Sequence, residues 1–155
     1  GMLHAYLHGV GVEIMANSDN VLRGGLTSKH IDVPELMHVV QFDALLDPIA
    51  PAENVVLSSH GIVPAEGIET VEYLTPVPEF RLSRSHLAPC RESHLGIEGP
   101  FIVLVTEGTV TLTSRECPEG LSVSAGHAAW VGAWEDRPTI ATGENSATVF
   151  IARVP

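Results

Sequence analysis

From residue 55 onward the sequence is written in short β-branched runs, and these limit the fold more than any other feature. "VVLSS", "IETVEYLTP", "EFRLSRSHLA", "PFIVLVTEGTVTLTS", "LSVSAGHAAWVGA" and "SATVFIARV" follow one another, broken by Gly, Pro, Asn and Glu. Such runs lack the three-to-four-residue apolar spacing of a helix, and β-branched side chains pack well on a pleated surface. Many short strands at near-regular spacing predict a sandwich or barrel. The segment "FIVLV-TEGT-VTLTS" predicts a hairpin turning at Glu107–Gly108. The reading is a mainly β, double-sheet jelly roll. At 155 residues, a folded chain hides roughly 70% of the surface its unfolded form exposes, so a core forms without staples.

Ahead of the strands, "HIDVPELMHVVQFDALLDP" predicts one helix. Asp32 is placed to cap it, Pro34 suits its first turn, and Glu35 completes an Asp version of the capping box. Ile31 and Leu36 take the staple positions, Leu36, Val39 and Val40 give the apolar stripe, and Pro48 stops the run. "DPIAPAE" then reads as a rigid connector. The opening residues, "LHAYLHGVGVEIM", are strand-like but broken. In one straight strand His4 and Glu13 would face opposite sides, so a shared cavity requires the bend that Gly9 and Gly11 permit. "NSDN" at 17–20 is a run of turn formers, and Gly24 and Gly25 allow close approach to Arg23.

The 8 Lys+Arg and 19 Asp+Glu give a formal charge of −11, and it is unevenly spread. Glu13, Asp19, Arg23 and Lys29 cancel within residues 1–30, leaving 17 acids against 6 bases in residues 31–155. Nucleic acid and anionic membrane both require a basic face and are therefore excluded as expected partners. An anionic ligand is tolerated only near the opening segment. Cys90 and Cys117 have no metal-ribbon or CxxC spacing and read as reduced thiols. No signal-like or membrane-spanning run is present, and the expected location is cytoplasmic. Gly1 before a Met reads as a tag-cleavage scar.

The stretch "LHAYLHGVGVEIMANSDNVLRGGLTSKHIDVPEL" strongly resembles the C-terminal active-site signature of the type I mannose-6-phosphate isomerases. The pattern runs His-Ala-Tyr, Glu plus apolar residues, Ala-x-Ser-Asp-Asn-Val, x-Arg, Gly-Leu-Thr and x-Lys, matched over about thirty positions without a gap. The resemblance implies a cupin-type jelly roll with one short helix and an N-terminal strand segment left from the family's catalytic domain. It implies zinc-dependent interconversion of mannose 6-phosphate and fructose 6-phosphate. By the same resemblance His4 falls on a zinc ligand, Arg23 on the catalytic arginine and Glu13 on a second catalytic position. Lys29, Asp19 and Asn20 fall on substrate-binding positions. His8 and Ser28 depart from the family's usual acidic or polar residue and proline.

The family's remaining zinc ligands, a Gln-x-His pair and a glutamate, belong to an upstream catalytic domain. The single glutamine here, Gln41, has no histidine two residues on. The expectation is a chain that starts partway through that domain: residues 1–31 its C-terminal remnant, 32–52 helix and connector, 53–155 a cupin domain. A catalytic zinc takes three protein ligands, so zinc binding by this chain alone is expected to be weak or absent, with little isomerase activity. The expected partners are a sugar phosphate and, for the unpaired opening segment, a second copy or a separate chain carrying the missing domain.

Plainer readings stand beside these. For Arg23 a plain salt bridge is the lesser reading, because the two following glycines and the motif favour anion recognition. Glu13 serves equally as a solvated carboxylate, and Lys29, beside a helix start, suits surface charge better than phosphate contact. The β region lacks a His-x-His pair, so His86, His94 and His127 predict no cupin metal site of its own. Trp130 and Trp134 suit core or edge packing better than sugar stacking. The competing function is a non-catalytic cupin module for sugar binding or oligomerisation. A sugar-nucleotide isomerase or epimerase is disfavoured by the arginine signature.

Overall fold

The computed structural model describes residues 4–15, 17, 21–43, 51–54, 61–75 and 77–154. The chain divides into two compact units, residues 1–48 and 49–155.

In the first unit, α1 (Val33–Val39) begins where Asp32 accepts a hydrogen bond from the Glu35 amide at 3.0 Å. Pro34 occupies its first turn, where a missing N–H costs nothing. The predicted helix does not continue through residues 40–43. Val40 is already extended (φ −67°, ψ 135°), and Gln41, expected on the helix, lies beyond it in an isolated bridge. No residue of α1 is buried. Without an apolar seat for its stripe, a helix ending in two β-branched valines has little to extend it. Residues 4–15, read from sequence as broken strand, are irregular here. A strand exists by its ladder, and no described residue supplies one to this segment.

The second unit contains β1 (Ala52–Asn54), β2 (Ile68–Tyr73), β3 (Arg81–Leu87), β4 (Glu92–His94), β5 (Phe101–Glu107), β6 (Thr109–Thr113), β7 (Leu121–Ser124), β8 (Ala128–Val131), β9 (Thr139–Thr142) and β10 (Ala147–Arg153). They form two antiparallel sheets, ordered β1-β2-β3-β10-β5-β8 and β4-β9-β6-β7. From β3 to β10 the chain passes repeatedly between the sheets, and its last strand returns to lie between β3 and β5. Two four-strand sheets wound in this way are the jelly roll; β1 and β2 extend one sheet.

Side-chain alternation explains the closure. In β5, Phe101, Val103 and Val105 are buried while Ile102 is 41% exposed; in β10, Val149 and Ile151 are buried. Val110 and Leu112 of β6 and Ile140 of β9 supply the facing layer. Hydroxyls that fall on inward positions are satisfied: Thr70 bonds Ser85 at 2.8 Å, Ser93 donates to the Val63 carbonyl at 2.8 Å, and Thr142 to that of Ala88 at 2.7 Å.

The turn at Glu107–Gly108 forms, but the expected hairpin does not. β5 pairs with β10 and β8, whereas β6 pairs with β7 and β9. Gly108 (φ +73°) is a corner between sheets, and a Cβ there would lie 2.2 Å from the Ser146 carbonyl oxygen. Carrying the chain across the core lets both apolar faces meet instead of lying side by side. The run "LSVSAGHAAWVGA" likewise splits at Gly126 into strands of different sheets. The connector "DPIAPAE" contributes β1, and the sequence reading missed β4 and β9. "VVLSS" lies outside the described residues.

Two isoleucines test this arrangement. Ile151→Ala, at a fully buried site, is expected to cost about 2–5 kcal/mol and lower Tm by roughly 5–20 °C. Ile102→Ala, half-exposed on the opposite face, should cost under about 1 kcal/mol. Equal losses in thermal denaturation would contradict the assigned faces.

Candidate functional site

The residues singled out in the opening segment are displayed rather than buried. His4, Glu13 and Lys29 are exposed, and Arg23 is half-buried. His4 meets the Tyr6 ring edge-on, with centroids 6.4 Å apart at 87°. After Arg23 the chain turns sharply, with Gly25 at φ +154° and Leu26 at φ +53°. Leu26 in the left-handed region costs roughly 1–2 kcal/mol. Beyond the turn, the Lys29 amide donates to the Thr27 hydroxyl at 3.1 Å, fixing the backbone beneath the lysine. Arg23 and Lys29 thus lie on either side of one turn, as cations without a carboxylate between them in sequence. Among the described residues, no hydrogen bond or ion pair joins Glu13, Arg23 and Lys29 to one another. Asp19 and Asn20 lie outside the described residues.

The arrangement suits an anion better than a metal. Two cations flanking a glycine turn can meet a phosphate through charge-assisted hydrogen bonds. A zinc site, by contrast, needs three protein donors. Among the described residues no three His, Cys, Asp or Glu side chains come together to hold an ion. The donors present around His4 therefore do not fit zinc by themselves.

In the second unit a hollow of about 120 Å³ opens between Leu95, Leu112, Val131 and Pro138, with Ser114 and Glu135 in its wall. The two loops that carry those polar residues are tied together. The Ser114 hydroxyl donates to the Glu135 carboxylate, the Arg115 amide to the Asp136 carbonyl at 3.1 Å, and the Asp136 amide to Glu116 at 2.7 Å. Arg115 pairs with Asp136 at 2.7 Å. The sequence reading missed Glu135 because a single loop carboxylate carries no spacing signal. Trp130 and Trp134, for which the sequence predicts core or edge packing, are 60% and 70% exposed, with Trp130 on the edge strand β8 beside the hollow. His86 and His127 are engaged elsewhere, with the Thr148 hydroxyl and the Ala125 carbonyl, each at 3.3 Å. On neighbouring inner rows, Arg81 and Arg153 flank Glu72 at 3.9 and 3.8 Å. Burial pushes the Arg153 guanidinium below its usual value, and Glu72 opposes that shift.

No protein-family model matches the chain. The mannose-6-phosphate isomerase of Salmonella typhimurium is 36% identical over 140 residues, which is 90% of this chain and 32% of the relative. The Escherichia coli enzyme of the same name is 34% identical over 147 residues, 95% of this chain and 34% of the relative. That of Bos taurus is 33% identical over 140 residues, 85% and 30%. Residues 49–155 make up only about seven-tenths of the chain, so these matches reach well into the unit holding Arg23. Over most of its own length the chain is similar to mannose-6-phosphate isomerases. It spans about a third of the length of the relatives it matches.

Two solved structures share the fold of this chain at low identity. The polyketide cyclase RemF from Streptomyces resistomycificus superposes with a TM-score of 0.51 at 16% identity, covering 72% of this chain and 78% of its own. A protein of unknown function from Vibrio parahaemolyticus gives 0.51 at 13% identity, covering 66% and 98%. No helix among the described residues is long and apolar enough to cross a membrane.

The tied loops yield a pH prediction. The Asp136 amide holds the Glu116 carboxyl below its usual value, against a smaller opposing effect of desolvation. A lowered carboxylate pKa stabilises the fold above the unfolded-state value, and that contribution is lost as pH falls through the folded value. The Asp136 amide resonance should therefore titrate with an inflection below the ordinary glutamate range. In Glu116→Gln that inflection should vanish; its persistence would contradict the contact.

Proposed function

We propose that this chain is the arginine-bearing portion of a mannose-6-phosphate isomerase, acting on mannose 6-phosphate and fructose 6-phosphate. The observation that carries the reading is a 33–36% match to isomerases over 85–95% of the chain, reaching into the unit of Arg23. In this reading Arg23 and Lys29 receive the anionic substrate, and Asp19 and Asn20, shortly before Arg23 in sequence, assist its binding. Aldose–ketose isomerisation takes a proton from C2, passes through an enediolate, and returns the proton at C1. Negative charge develops on oxygen along that path, and a fixed guanidinium stabilises it electrostatically. Glu13 is a carboxylate of the right type to carry the proton, and its exposure leaves it accessible.

His4 supplies one zinc ligand in this reading, and the remaining donors come from outside this sequence. Zinc contributes Lewis-acid polarisation of the sugar oxygens when bound. The alternative, a non-catalytic cupin module, has no observation favouring it.

The test uses sugar with and without phosphate. Mannose 6-phosphate at low ionic strength should perturb the amide resonances of residues 21–30 saturably, whereas mannose should not. Arg23→Ala should abolish the response, and Lys29→Ala should weaken it about tenfold, equivalent to about 1.4 kcal/mol. An equal response to mannose would sink the assignment. In a coupled assay the chain by itself should stay at background, with zinc well below one equivalent. Stoichiometric zinc with turnover would refute the claim that the other donors lie elsewhere.

A further inference from the structure

The hollow in the second unit has a polarity that the isomerase reading leaves unused. Its floor is Leu95, Leu112, Val131 and Pro138, and among its lining residues the one carboxylate is Glu135. Among the described residues no lysine, arginine or histidine lines it. Arg115, the cation in the adjoining loop, is already engaged with Asp136 at 2.7 Å. Glu135 is held in place from two directions. Its carboxylate accepts from Ser114, and its amide donates to the Gly132 carbonyl at 3.1 Å. Ser114 is itself fixed, because its hydroxyl accepts from the Cys117 amide at 3.1 Å. A carboxylate has about four acceptor sites, and Ser114 uses one.

We infer that this hollow is a binding site for a small organic ammonium ion carrying one compact apolar group. A preset anion at the edge of an apolar floor rewards a ligand that brings its own positive charge and an apolar body. A chain of charge −11 draws cations toward it and repels anions. Size sets the body: the volume is about 120 Å³, somewhat below the roughly 150 Å³ of a closed cavity that takes a benzene ring, so a ring seats here with one edge at the open mouth. A single ring or a branched alkyl group fills it; a nucleotide or a disaccharide does not. The site is independent of Arg23 and of the isomerase assignment.

Benzylamine, protonated at neutral pH, is the probe, with benzoate as its charge-reversed counterpart. Titrated into the isotopically labelled full chain, benzylammonium should shift the amides of Ser114, Cys117 and Glu135 saturably, and benzoate should leave them unmoved. Glu135→Gln keeps an acceptor for Ser114, so the loops stay tied, but it should weaken benzylammonium by at least about tenfold. Glu119→Gln removes a nearby exposed acid that does not line the hollow and should leave affinity unchanged. Equal shifts with benzoate, equal weakening by the two variants, or no saturable shift would each overturn the proposal.

Discussion

The structure depends on one contact, the burial of two apolar sheet faces against each other. Each strand offers alternate side chains to that interior, and Phe101, Val103, Val105, Ile140, Val149 and Ile151 fill it almost without exposure. Because the period is two, a one-residue slip in any register would turn those side chains to water. The pairing of β10 with both β3 and β5 fixes the register at the centre of the larger sheet. The corner at Gly108 and the turn at Gly126 follow from the need to close the sandwich.

Composition and alternation made the β class legible, and "FIVLV" and "SATVFIARV" placed two central strands. Sequence could not reveal which strands pair. A two-residue turn between apolar runs looks the same whether the runs lie side by side or across a core, so Glu107–Gly108 was read as a hairpin. The strand pairings separate the cases, since β5 joins β10 and β8 while β6 joins β7 and β9. The helix shows a parallel limit. Asp32 and Pro34 set its start through local chemistry, whereas its end at Val39 depends on packing that local sequence does not encode.

The site was legible as a motif rather than as geometry. About thirty contiguous positions name Arg23, Lys29, Glu13 and His4. What the motif could not convey is how the groups stand. Arg23 is half-buried beside a strained glycine–leucine turn, while the others are open to water. Glu135 is the opposite case, with no motif and a clear setting: two loops hold it at the edge of an apolar hollow. Lone carboxylates of that kind emerge only from the fold.

Charge ties these features together. Residues 1–30 sum to zero in a strongly acidic chain, and in the proposed reading their cations Arg23 and Lys29 receive the phosphate. A crystal of this chain grown with mannose 6-phosphate examines that directly. Density for the phosphate against Arg23 and Lys29, with the sugar ring extending toward Glu13, is the expected outcome. Phosphate density at Arg81 and Arg153, with none beside Arg23, would contradict it.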